Sequence, residues 1–172
     1  MAGRAALRVI YRARQFWEAV HPRLDPAALE AAEALLPDGL WRLFRQMPPS
    51  EQAHALRVFR RLQALGCADP DLLTAALLHD VGKALRHPRL WERVAVVLAH
   101  RCCPRRARQW GEGEPKGWRR PFVLAARHPA WGAALAAEAG ASERTVALIR
   151  QHHTRDLHDA GLALLQEADE QE

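Results

Sequence analysis

Hydrophobic residues recur along the chain at intervals of three and four positions, and proline, glycine or short polar turns separate the groups. This spacing places one apolar stripe on each of a series of α-helices. Ala and Leu dominate the apolar set, which favours helices over sheets. The predicted helices cover residues 5–20, a segment opened by Asp25-Pro26, and residues 41–47, 50–65, 70–81, 89–100, 122–127, 131–139, 143–153 and 157–169.

Several boundaries are marked by capping residues. Asp25-Pro26 and Asp69-Pro70 each combine an N-cap carboxylate with proline in the first helical position. Ser50 is predicted to cap the helix that ends before Gly66, a usual residue just past a helix end. Residues 102–121 contain proline, glycine and basic residues, so we expect a loop there. With 172 residues, the chain is expected to form a single-domain, all-α helical bundle.

Composition adds little about function. The formal charge of +5 favours an anionic ligand only weakly, although residues 101–120 hold seven basic and two acidic side chains. No apolar run is long enough to span a membrane, and residues 1–20 are not typical of a secretory signal. Three cysteines without a C-x-x-C pair indicate reduced thiols, and we therefore expect a cytoplasmic protein.

The helix predicted over residues 70–81 is apolar almost all round, which is typical of the centre of a bundle. It ends at His79-Asp80, followed by Val81-Gly82-Lys83. A buried carboxylate is costly unless it is paired or bound to a metal. The residues alone leave two interpretations open, a metal site or a His–Asp pair that satisfies itself.

His54 lies on the preceding helix, on the same side as Val58 and Leu65, and is expected to point inward. A lone inward histidine is more often a core residue than a ligand. The two consecutive helices are joined by a short turn and should pack antiparallel, which would bring His54 close to His79.

Near the end of the chain, Asp169 shares a helix side with Leu162 and Leu165, so its carboxylate is also expected to point inward. It could instead belong to a frayed acidic tail. Asp156 and Asp159 compete for the same role, but their place in the first helical turn favours capping.

Three further histidines stand out. His128 precedes Pro129, and His152 and His153 follow the apolar positions Leu148 and Ile149 by one turn. One of the adjacent pair should reach the interior while the other faces sideways. Taken singly, each of the three is more typical of a surface or capping role.

Together these segments resemble the HD superfamily of metal-dependent phosphohydrolases. Residues 77–83 (LLHDVGK) resemble its second motif, with His54 upstream. His128-Pro129 with Gly132 resembles the intermediate histidine segment, residues 149–153 (IRQHH) the later histidine segment, and residues 164–169 (LLQEAD) the closing helix. The resemblance covers roughly residues 50–172, so we predict an HD-type domain there and an N-terminal helical extension at residues 1–49.

The resemblance implies an antiparallel helical core and a metal ion held by four residues, His54, His79, Asp80 and Asp169. Nitrogen and oxygen ligands of this kind suit Mn, Fe, Co, Ni or Zn better than Ca. A second metal or the substrate phosphate would be bound by His128, His152 and His153. His79, Asp80 and Lys83 would be catalytic, and Arg150 would contact substrate.

The expected activity is hydrolysis of a phosphate ester or anhydride in a nucleotide-like small molecule. The alternatives are a metal-containing, nucleotide-binding regulatory module without turnover and a nucleic-acid-binding protein, which is less favoured. The loop at residues 102–120 would either gather an anionic substrate or be solvated. Trp110 and Trp118 would stack on a base or, more typically, cover the core. The sequence does not give the oligomeric state.

Overall fold

The computed structural model describes residues 23–84, 89–154 and 159–171. These residues form helices and turns and contain no strand, which confirms the all-α fold. The helices are α1 (Pro26–Leu35), α2 (Asp38–Arg45), α3 (Pro49–Ala64), α4 (Pro70–Leu78), α5 (Leu90–Cys102), α6 (Pro104–Trp110), α7 (Arg120–Glu138), α8 (Glu143–Gln151) and α9 (Ala160–Glu170), with short 3-10 turns at Val81–Lys83 and Gly117–Arg119. The helix predicted over residues 5–20 lies outside the described residues.

Local capping explains most helix starts. The side chains of Asp25, Asp69, Ser142 and Asp159 each accept a hydrogen bond from a backbone N–H in the first turn of the following helix. The predicted N-cap at Ser50 was wrong, because α3 begins at Pro49. Proline suits this first position since its φ is already helical and it has no N–H to leave unpaired.

The core is built around α4, as its sequence predicts. All seven residues from Leu72 to Leu78 are buried, and α4 packs against α3, α8 and α9. The apolar faces of α1 and α2 join the same core through Ala28, Ala32, Leu40 and Phe44. The division between an extension at residues 1–49 and a domain at residues 50–172 stays a prediction.

Two expected features differ in the structure. Residues 102–121 are not one loop, since they include α6, which buries Ala107, and the turn at Gly117–Arg119. The helices predicted at residues 122–127 and 131–139 are a single helix, α7, with Pro129 inside it. Proline removes one backbone hydrogen bond, but the cost is tolerated here because α7 packs along α8 and the Val81–Lys83 turn.

α5 is joined to α7 by a buried ion pair. The Glu92 carboxylate is 3% exposed and accepts hydrogen bonds from Arg120 and from the backbone N–H of Arg89. This pair fixes the start of α5 beside the start of α7. No helix among the described ranges has the length and apolar character needed to cross a bilayer.

The closest backbone approach in this region lies between Gly82 and α7. A Cβ atom at Gly82 would overlap the carbonyl oxygen of His128 and would lie 2.8 Å from the backbone nitrogen of Gly132. Since backbone atoms cannot move aside as a side chain can, only glycine lets the turn after α4 pack directly on α7.

We expect Gly82→Ala to lower the free energy of unfolding by at least about 2 kcal/mol, because overpacking a buried contact forces the backbone apart. Gly113→Ala is the control: its Cβ meets no atom, but its φ of +95° is strained for alanine, so about 1 kcal/mol is expected. Urea unfolding measures both. Equal losses for the two variants would contradict the close approach.

Candidate metal centre

Asp80 follows His79, the C-cap residue of α4, and its carboxylate lies in the middle of a cluster of imidazoles. Its side chain is 4% exposed. Oδ1 lies 3.3 Å from Nε2 of His128 and 3.8 Å from Nε2 of His152. Oδ2 lies 2.5 Å from Nζ of Lys83 and 3.6 Å from Nε2 of His79. Four side chains from three parts of the chain therefore face one buried carboxylate.

On one side of Asp80, the structure brings together His54 of α3, His79 and Asp169 of α9. Nε2 of His54 is 2.8 Å from Oδ1 of Asp169, and Nε2 of His79 is 3.4 Å from the same oxygen. One ligand atom from each of the three residues lies within 4.8 Å of the others. We call this set the first triad, and with Asp80 it contains all four residues expected to hold a metal.

On the other side, His128 of α7 meets His152 and His153, which follow α8. Their ligand atoms also lie within 4.8 Å of one another, and we call this set the second triad. His152 is buried while His153 is exposed, which confirms that one member of the pair reaches the interior. Asp80 Oδ1 faces the second triad, so the two triads adjoin through this carboxylate.

Backbone carbonyls orient three of the imidazoles. Nδ1 of His79 is 2.9 Å from the Ala76 oxygen, and Nδ1 of His152 is 2.7 Å from the Ile149 oxygen. Nδ1 of His128 faces carbonyl oxygens of its own helix. Because a carbonyl only accepts, Nδ1 must carry the proton, and in the neutral ring Nε2 is left with a lone pair. These lone pairs point into the cluster around Asp80.

Pro129 contributes to the orientation of His128. A helical proline has no N–H to donate to the carbonyl four residues earlier, here that of Ala125. Nδ1 of His128 lies 3.0 Å from that oxygen and donates to it instead. The missing backbone bond is thus replaced by a side-chain bond that fixes the ring.

Both carboxylates are ionised near neutral pH. Burial alone raises the pKa of Asp80, but the nearby Lys83 ammonium and the imidazoles of His79 and His128 outweigh it and hold the pKa well below its usual range. Burial also opposes ionisation of Asp169, and the facing imidazoles of His54 and His79 likewise hold its pKa far below the usual range. The cluster therefore contains two negative charges.

The pKa values of the histidines differ because their charged neighbours differ. Burial lowers the pKa of His79, but Asp80 and Asp169 raise it more, so the balance lies above the usual value. Burial and the neighbouring imidazoles of His79 and His153 lower the pKa of His152 to about 3. Burial and His128 lower the pKa of His153 to about 4. His152 and His153 are therefore neutral at pH 7 and act as lone-pair donors.

The residues present fit a divalent cation. Within the described part of the chain, Nε2 of His79 and Oδ1 of Asp80 are buried and have no hydrogen-bond partner, since their nearest contacts lack hydrogen-bond geometry. Unpaired buried polar atoms are costly, and a cation would satisfy both. Imidazole nitrogens with carboxylate oxygens form a ligand set that transition-metal ions favour.

The remaining candidates lie elsewhere. Asp159 caps α9 through the N–H groups of Gly161 and Leu162, whereas Asp156 falls outside the described residues. Arg150 is exposed, and the structure gives it no ion pair with a described residue. Trp110 packs on the buried Phe122, with ring centroids 5.0 Å apart, whereas Trp118 contacts both rings but is 59% exposed.

Sequence reasoning missed the pocket beside the cluster. It has a volume of about 690 Å³ and is lined by residues of α5, α6 and α7 together with Lys83, His128 and His153. The Glu92–Arg120 ion pair that joins two of these helices was also missed. Val96 and Val97 of α5 line the pocket, but apolar residues along a predicted helix do not indicate a pocket.

The fold and the cluster define an all-helical protein with a buried His–Asp centre suited to divalent cations. The sequence pattern of the HD domain matches residues 52–171, which is more than half of the chain. The chain therefore belongs to the HD-domain family, as its motifs predict. No curated protein and no solved structure matches it at a significant level.

We expect the protein to bind Mn²⁺ or Co²⁺ and to be stabilised by it. A cation at one hundred times its Kd adds about 2.7 kcal/mol, which raises Tm by about 5–10 °C for a chain of this size. His79→Gln should abolish most of this rise, whereas His100→Gln, an exposed histidine of α5, should retain it. Differential scanning calorimetry with and without metal measures the effect. An equal rise in both variants would place the ion elsewhere.

Proposed function

We propose that the protein is a metal-dependent phosphohydrolase that cleaves a phosphate ester or anhydride bond in a nucleotide-like small molecule. The observation that carries the proposal is the buried Asp80 carboxylate between two triads of metal-ligand residues. Family membership supports the reaction class. The cytoplasmic location expected from the sequence stays a prediction.

We infer that each triad holds a divalent cation. His54, His79 and Asp169 would hold one, and the second triad would hold another, with Asp80 available to both. The second triad fits a cation better than a phosphate, because Nε2 of the neutral His152 ring carries a lone pair and would repel phosphate oxygens. Mn, Fe, Co, Ni and Zn match these ligands best.

The surrounding side chains provide the rest of the chemistry. A bound divalent cation would supply Lewis acidity, which makes water more acidic and polarises phosphoryl oxygens. Asp80 is ionised and lies between the two triads, so its carboxylate is placed to accept a proton from the attacking water as well as to hold metal. Lys83 lines the adjoining pocket, where its ammonium can neutralise charge that develops on the phosphoryl oxygens.

The stoichiometry of bound metal tests the two-ion arrangement. We expect two equivalents of Mn²⁺ per chain by calorimetric titration, and one equivalent in His128→Ala, because only the second triad loses a ligand. His100→Ala is the matched control and should bind two. A single equivalent in the unaltered protein would leave the second triad for another role.

Turnover is tested with the Mn²⁺-loaded protein and a panel of nucleotides and dinucleotide polyphosphates. We expect release of phosphate or nucleotide, and a loss of at least about 100-fold in Asp80→Asn, since a positioned acid–base group typically contributes that much. Asp38→Asn removes an exposed carboxylate of α2 and should leave the rate unchanged. Binding of a nucleotide without any product would instead indicate a regulatory module.

A further inference from the structure

The pocket beside the centre is placed to hold the organic part of a phosphorylated substrate. Lys83, His128 and His153 line it, so a phosphoryl group at the centre would leave the rest of its molecule in this space. Val97, His100 and Arg108 also line it and are exposed, which places them where the pocket opens to solvent. The volume of about 690 Å³ is that of a small-molecule site.

The walls between these polar residues are apolar. The described lining contains no serine, threonine, asparagine, glutamine, tyrosine or tryptophan. The apolar lining includes Val96, Val97, Ala107, Phe122, Leu124 and Pro129.

The one carboxylate in the wall, that of Glu92, is already engaged. It accepts hydrogen bonds from Arg120 and from the backbone N–H of Arg89, and its pKa is lowered by these partners despite burial. The Glu92 carboxylate is therefore held by the backbone at the start of α5 and by Arg120 of α7. The middle of the pocket offers a substrate mainly apolar surface.

Resting on the proposed function, we propose that this pocket binds an apolar organic group of the substrate, an aromatic ring or a hydrocarbon chain, and does not recognise sugar hydroxyls. Hydroxyl groups that enter the middle of such a pocket lose hydrogen bonds to water and meet mainly apolar side chains, whereas an apolar group gains from leaving water. A nucleotide bound here would be held by the faces of its base, with little discrimination among bases.

Binding alone provides the first test, since it does not depend on turnover. Phenylphosphonate and methylphosphonate present the same anion, so their difference reports on the organic group. With the Mn²⁺-loaded protein we expect phenylphosphonate to bind about tenfold more tightly by calorimetry, as partial burial of a ring predicts. Equal affinities would overturn the proposal.

Kinetics provide the second test. Benzyl phosphate and ribose 5-phosphate are both esters of primary alcohols, so their leaving groups are chemically alike. We expect KM for benzyl phosphate to be about tenfold lower. A KM for ribose 5-phosphate as low as that for benzyl phosphate would overturn the apolar assignment while leaving the phosphohydrolase proposal intact.

A pair of valine variants assigns the preference to this pocket. Val96 lines it and lies outside the main hydrophobic core, whereas Val94 is two residues away on α5 and does not line it. Val96→Gln should raise KM for benzyl phosphate about fivefold and leave KM for ribose 5-phosphate unchanged, while Val94→Gln should change neither. Equal effects of the two variants would place the apolar group elsewhere.

The two proposals fail in different ways. Tight binding of phenylphosphonate by a protein that hydrolyses no substrate would support the apolar pocket and contradict the phosphohydrolase. Hydrolysis with no preference for the apolar ligands would support the phosphohydrolase and contradict the apolar pocket.

Discussion

The structure depends on the burial of a single carboxylate. Asp80 emerges from α4, a helix enclosed on every side, and a lone charge there would be too costly for the fold to keep. The surrounding elements supply the compensation, with Lys83 from the following turn and imidazoles from His79, α7 and the segment after α8. Folding and chemistry are therefore coupled, because the contacts that make Asp80 tolerable also assemble the candidate centre.

The imidazoles are held in place before any ion arrives. His79, His128 and His152 each donate Nδ1–H to a carbonyl of their own helix about one turn earlier, and this fixes both the ring and its tautomer. In α7 the carbonyl that binds His128 is free because Pro129 cannot donate to it. A residue that weakens the helix thus helps to position a ligand, while Gly82 lets the turn after α4 reach that same part of α7.

Much of the centre could be predicted from sequence because its signals are local. An apolar helix that ends in His79-Asp80, and inward positions for His54 and Asp169, follow from helical periodicity together with the family's motifs. The helix boundaries near prolines were harder to predict. Pro129 is typical of a helix break, yet it lies within α7, because the packing of α7 outweighs local propensity. Pro104 instead begins α6, at a position that proline favours. The basic residues of this segment also favoured the prediction of a loop where the structure has α6.

The pocket beside the centre was not predictable for a different reason. The centre is made from motif residues, whereas the apolar pocket walls come mainly from valines and alanines on α5, α6 and α7, whose side chains meet only after folding. The Glu92–Arg120 ion pair holds α5 against α7, so the shape of the pocket depends on a contact 28 residues apart in sequence. The motifs could therefore predict the candidate centre, whereas the adjoining pocket depends on tertiary packing that carries no motif.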